Sequence, residues 1–224
     1  MRYDWILFDA DDTLFHFDTF SGLKLMFSNF DIDFTTHDFD NYQVVNKQVW
    51  QDYQNGTATT NDIKERRFAY WAKRLNTEAK ILNNAFLESM AQVCTPIRGV
   101  ERLLTTLHNK VKMGIITNGL TDLQEIRLRK NSLRHFFDIL VISEEVGVAK
   151  PNRKIFEYAH DLMQAPAHER VLMVGDNLDS DILGGINAGF HTCWFNQHNL
   201  TNQSSVKPHY TISSFHELEQ IIVQ

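Results

Sequence analysis

The sequence predicts an α/β fold, a doubly wound, mostly parallel sheet that carries a helical insertion after its first strand. Three observations support this. The run Trp5-Ile6-Leu7-Phe8 is apolar throughout and bounded by charge, the pattern of a strand buried on both faces. From about Pro96 onward, short apolar runs alternate with amphipathic stretches, the signature of strands connected by helices. Between the two, residues 15–92 have helical periodicity and no convincing strand.

Taken in order, the first strand spans 4–9 and places Asp9 at its carboxyl end, where open α/β sheets put their ligands. In the insertion, Tyr42, Val45, Val49 and Tyr53 form one stripe, and Phe68, Trp71, Ala72 and Leu75 another. Thr36, Thr60 and Thr77 read as N-caps and Asn55-Gly56 as a helix stop, giving about four helices. Strands then follow at 113–117, 139–142, 171–174 and 192–195. Helices near 99–109, 121–131, 152–164, 179–188 and 215–223 separate or flank them, and 196–208 reads as a polar loop. Residues 1–14 and 93–224 thus make a Rossmann-like core, and residues 15–92 a cap inserted into it. The insertion is rich in aromatic residues, which suit either a stacking surface for a planar substrate or the core of a small bundle.

Composition narrows the function. The net charge of -6 disfavours nucleic acid or an anionic membrane as a partner. Charge interrupts every apolar stretch before it reaches the length of a membrane span. The first strand begins within a few residues of Met1, so a cytoplasmic protein without a signal peptide is expected. Cys94 and Cys193 stand far apart in no motif and read as buried thiols, and the scattered histidines offer no zinc spacing.

Four pieces carry chemistry. Asp9-Ala10-Asp11-Asp12-Thr13 sets two carboxylates two residues apart after a buried strand, sharing a side while the chain stays extended. Like charges held together destabilise a fold unless a cation or a reaction uses them. Ile115-Ile116-Thr117-Asn118-Gly119 ends a strand in a hydroxyl and a glycine, suited to phosphoryl oxygens or simply to a turn. Lys150-Pro151 puts a cation before a helix, with Pro151 expected in its first turn. Val171-Leu172-Met173-Val174-Gly175-Asp176 repeats the logic of the first piece. Asp179, Ser180 or Asp181 beyond it could cap the next helix. Magnesium prefers a few carboxylates together with waters and phosphate oxygens, and Asp9, Asp176 and a backbone carbonyl would suit it.

In this order the four pieces resemble the haloacid dehalogenase-like superfamily, with the insertion similar to that family's type-1 cap. The presence of an acid at Asp11 places the resemblance with the phosphatases rather than the dehalogenases. Tyr42-Gln43-Val44-Val45-Asn46, Asp52-Tyr53-Gln54-Asn55-Gly56, the stretch Ile142–Asn152 and the stretch Ser180–Gly189 are similar to bacterial house-cleaning pyrimidine 5'-nucleotidases. The resemblance implies a magnesium-dependent phosphatase, with manganese or another divalent cation as an alternative, acting on a small phosphorylated molecule such as UMP, dUMP or dTMP. It implies Asp9 as nucleophile, Asp11 as general acid and base, and Thr117, Asn118 and Lys150 at the phosphate. It places the metal on Asp9, Asp176 and the backbone carbonyl of Asp11, and uses Asp181 to orient a water or Lys150. A sugar phosphatase or phosphomutase would use the same pieces, and a non-enzymatic phosphometabolite-binding protein would have no need of Asp11. A monomer or small homo-oligomer is expected.

Overall fold

A computed structural model describes residues 1–223. Six strands form one sheet: β1 (Trp5–Phe8), β2 (Lys112–Thr117), β3 (Ile139–Ile142), β4 (Val171–Gly175), β5 (His191–Phe195) and β6 (Tyr210–Ile212). Their order is β3-β2-β1-β4-β5-β6, and each pairing among the described residues is parallel. All four residues of β1 are buried. Trp5 and Leu7 join Ile116, Val141, Phe156 and Phe190 in one cluster. Ile6 and Phe8 alternate to the other face, where Phe8 meets Phe137 edge-on at 6.4 Å. A central strand covered on both faces has no solvent side to make polar, which is why it reads as an unbroken apolar run.

The five expected strands are present, and β6 is an addition. It is three residues long, with Thr211 exposed and Tyr210 half-buried, so it carries too little apolar pattern to stand out. The stretch 196–208 has no helix or strand. Pro151 does not sit in the first turn of a helix. That helix is Arg153–Leu162 with Asn152 as its N-cap, whose side chain accepts the Lys154 N–H, and Pro151 lies in the turn before it. Asn177 accepts the N–H groups of Asp179 and Ser180, so it, and not Asp179, Ser180 or Asp181, caps the wide turn Leu178–Ile182 that leads into helix Leu183–Asn187.

The chain divides into two compact units, one of residues 1–16, 95–121 and 131–224, the other of residues 17–94 with 122–130. These divisions fall two residues beyond the expected 14/15 and 92/93 boundaries, and most of helix Thr121–Lys130 goes with the helical unit. Lys130 there donates to the carbonyls of Ala91 and Gln92, and Asp122 lies 3.9 Å from Lys64.

The helical unit holds helices Thr19–Ser28, Thr36–Gln54, Thr60–Arg66, Ala69–Leu75 and Ala79–Val93, one more than expected, because the chain breaks at Arg67-Phe68. The caps of the second and third are Thr35 and Thr59, one residue before the expected Thr36 and Thr60. Only from those positions does the acid three residues on, Asp38 or Asp62, close a reciprocal capping box. Thr77 caps nothing; Glu78 precedes the last helix without a side-chain cap bond. The stop at Asn55-Gly56 is as expected, with Gly56 at φ +73°. Val45 is exposed while Tyr42, Val49 and Tyr53 are buried. The rings build a core: Phe27 stacks on Phe34 at 4.7 Å and meets Trp71, and Tyr42, Phe68 and Phe86 contact one another. No helix among the described residues is long and apolar enough to cross a membrane.

Candidate active site

The strand order reverses direction between β1 and β4, and parallel strands leave a crevice at their carboxyl ends at such a point. Asp9 directly follows β1, Asp176 directly follows β4, and Thr117 ends β2. The Asp9 N–H donates to the Val174 carbonyl at 2.9 Å, tying the two strand ends together. Beyond Asp11, which forms an isolated bridge with Phe15, the chain turns back. The N–H groups of Leu14 and Phe15 both return to the Ala10 carbonyl, and Asp12 takes φ +56°. The turn thus follows Asp11, two residues beyond Asp9.

Lys150 is the electrostatic centre of the site. It is 1% exposed, and its ammonium donates to Oδ1 of Asp9 at 2.5 Å, Oδ1 of Asp181 at 2.7 Å and the Ile116 carbonyl at 2.7 Å. A lysine has three N–H donors, and all three have acceptors within the protein. Burial works against its charge, but Asp181 and Asp9 more than offset this and hold the ammonium above the ordinary lysine range. Asn118 fixes the lysine from behind, its side chain accepting the Lys150 N–H at 2.7 Å and donating to the Lys150 carbonyl at 3.0 Å. The Asn118 side chain is thus engaged with Lys150. The Thr117 hydroxyl, at the same strand end, accepts the Gly119 N–H at 3.1 Å.

Asp176 lies beside this cluster. Its Oδ1 accepts from the Thr13 hydroxyl at 3.3 Å and its carbonyl from the Trp194 indole at 2.8 Å. Asp181 accepts the Asn177 N–H at 3.1 Å, and the space next to Gly175 that a Cβ would need is filled by its carboxyl. One ligand oxygen each from Asp9, Asp176 and Asp181 falls within 4.8 Å of the other two. Burial pushes the Asp9 carboxyl up to about 7, against the pull of Lys150 and with further pushes from Asp181 and Asp11. Burial pushes Asp176 up to about 8, and Asp9 and Asp181 add to it. Crowded, buried carboxylates that one ammonium does not neutralise are the donor set of a hard divalent cation. The residues fit such an ion.

The structure therefore brings together Asp9, Lys150, Asp176 and Asp181, with Thr117 and Asn118 on the adjoining strand end and half-buried Asp11 in the turn after β1. Two contributors were absent from the candidate residues. Thr13 belongs to the first motif, and its burial to 0% is the signal that it points inward. Trp194 reads only as an apolar strand residue; its bond to Asp176 follows from strand register, which no local pattern encodes.

Comparison with known proteins agrees with this geometry. Residues 3–189 match the model of the haloacid dehalogenase-like hydrolases. The chain is 54% identical to the pyrimidine 5'-nucleotidase YjjG of Escherichia coli (strain K12) over 99% of both chains. It is 30% identical to the pyrimidine 5'-nucleotidase PynA of Streptococcus pneumoniae, covering 97% of this chain and 94% of that one. Its structure superposes on magnesium-bound HAD-hydrolase YfnB of Bacillus subtilis with a TM-score of 0.86, at 30% identity and 99% coverage of each. A family match over residues 3–189 and likeness over nearly the whole chain have one reading: the protein belongs to the haloacid dehalogenase-like hydrolases.

Proposed function

We propose that this hydrolase removes the phosphate from nucleoside 5'-monophosphates bearing a pyrimidine, such as UMP, dUMP or dTMP. The observation that carries the substrate is the 54% identity to the E. coli pyrimidine 5'-nucleotidase across 99% of both chains. The placement of Asp9 supports the chemistry. A carboxylate at a strand end, held at Oδ1 by a buried ammonium, presents a fixed oxygen to a phosphorus atom.

In this reading Asp9 attacks phosphorus in line and forms an aspartyl-phosphate, dividing hydrolysis into two displacements. Asp11 gives a proton to the departing nucleoside oxygen and later takes one from the water that cleaves the intermediate. Thr117 and the backbone amides around 10–11 and 118 face the phosphoryl oxygens, where transfer concentrates charge. Lys150 keeps Asp9 in place and adds positive potential, while Asn118 and Asp181 hold Lys150. Magnesium, or manganese in its stead, would be held by Asp9, Asp176 and the Asp11 carbonyl, and supplies positive charge that offsets repulsion between nucleophile and phosphate.

The test is phosphate release by the purified protein against pyrimidine and purine nucleoside monophosphates, sugar phosphates and an aryl phosphate, with and without EDTA. Metal-dependent release strongest on pyrimidine monophosphates is expected. Preference for a sugar phosphate would refute the substrate and keep the mechanism; no release on any of them would refute both.

A further inference from the structure

A buried tryptophan needs an acceptor for its indole N–H. Trp194 is 6% exposed and lies on β5 in register with Gly175, the residue just before Asp176. Its Nε1–H donates to the main-chain carbonyl of Asp176 at 2.8 Å. That bond fixes the peptide plane immediately after Cα of Asp176, and so the direction in which the carboxylate leaves the chain. Two other contacts constrain the same residue from elsewhere in the fold. Thr13 donates to its Oδ1 at 3.3 Å, and the Asp181 carboxyl fills the space beside Gly175 while accepting the Asn177 N–H at 3.1 Å. Asp176 is therefore held at its carboxylate, at its carbonyl and on both flanking residues. A phenylalanine would fill most of the same space in β5 but would leave the Asp176 carbonyl without its donor.

We infer that Trp194 is a positioning residue that sets divalent-cation affinity by orienting Asp176 through its main chain. The inference rests on the reading of Asp176 as a metal ligand. Groups that orient a ligand from outside the coordination sphere are typically worth about 10–100-fold in metal affinity, because a ligand left free must be ordered when the ion binds.

The experiment measures dissociation constants of the full-length protein for Mn2+, by water-proton relaxation, and for Mg2+, by calorimetry. Parent, Trp194→Phe and Asp176→Asn are compared, together with the Tm of each without metal. Trp194→Phe is expected to weaken both ions about tenfold with its metal-free Tm within a few degrees of the parent. A lowered metal-free Tm with unchanged dissociation constants would mean that Trp194 only packs, and would overturn the inference. Loss of affinity in Asp176→Asn with none in Trp194→Phe likewise overturns the inference alone. Equal affinity in the parent and Asp176→Asn overturns the assignment of Asp176 as a ligand, and the inference with it. Should Trp194→Phe not fold, 3-benzothienylalanine at position 194 has the indole's shape without its N–H. A tenfold loss with that side chain supports the inference, and an unchanged constant overturns it.

Discussion

Replacing Lys150 with methionine preserves most of the side-chain volume and removes the charge, so it isolates the electrostatic role of this residue. In the parent the ammonium pairs with two acids, Asp9 at 2.5 Å and Asp181 at 2.7 Å, which are 8% and 1% exposed. Removing one partner of a buried ion pair costs about 3–5 kcal/mol, since the other partner is left charged and unsolvated. For a chain of this length each kcal/mol moves Tm by roughly 2–4 °C, so a fall of about 10 °C is expected near pH 8. The deficit should also depend on pH, with a definite sign. Lys150 is the principal influence that pulls the Asp9 carboxyl down, and even with it Asp9 stands at about 7, above its ordinary 3.8. Without Lys150 it rises further. A carboxyl raised in the fold destabilises it fully above the raised value, and less and less as pH falls toward the unfolded value. The Tm difference between parent and Lys150→Met should therefore shrink markedly from pH 8 to pH 5. Thermal denaturation followed by circular dichroism, without metal, at the two pH values measures it. Equal deficits at both would show that the loss is one of packing, and a deficit under about 1 kcal/mol would refute the assignment of Lys150 as the group that holds the acids by its charge.

Asp9→Asn should abolish phosphate release while the circular dichroism spectrum stays that of the parent; more than a few per cent residual turnover in a pure sample rules out Asp9 as nucleophile. Asp11→Asn should reduce turnover of a nucleotide far more than that of an aryl phosphate, whose leaving group needs less protonation, and equal losses would contradict the proton-donor role. Burial raises Asp9 to about 7 and Asp176 to about 8, so their ionisation weakens the metal-free fold above those values, and that penalty fades as pH drops toward 4. Magnesium relieves the same repulsion, so the Tm rise it produces should be larger at pH 8 than at pH 5.5; a rise that is the same or larger at pH 5.5 would place the ion elsewhere. Asn118→Ala removes both bonds that fix the Lys150 backbone, and should lower kcat about tenfold or more with little change in KM; a change confined to KM would point to a direct substrate contact instead.

What the sequence disclosed about this protein follows from which interactions are local. The strands of the core were legible because a strand buried on both faces has to be apolar at every position, and Trp5–Phe8 and Val171–Gly175 meet that demand within a few residues. The acids at the strand ends were legible for the opposite reason. Asp9 and Asp176 contradict the apolar runs they terminate, and a fold tolerates such a conflict where a site requires it. The helix caps were misplaced by one residue because Thr35-Thr36 and Thr59-Thr60 offer two hydroxyls each. The choice between them rests on the reach of Asp38 and Asp62 back to the cap, a constraint spread over four positions. What stayed hidden depends on pairings between distant segments. Lys150 could be placed near an anion, but its partners lie 141 residues away at Asp9 and 34 away at Ile116, and their geometry gives all three of its donors to the protein. Asn118 resembled a phosphate-binding side chain because its partner, the backbone of Lys150, lies 32 residues on. Trp194 meets Asp176 only because β5 pairs with β4 in a register set by the whole sheet. The reacting groups are written in the residues at the strand ends, whereas the groups that hold them in place are written in the topology.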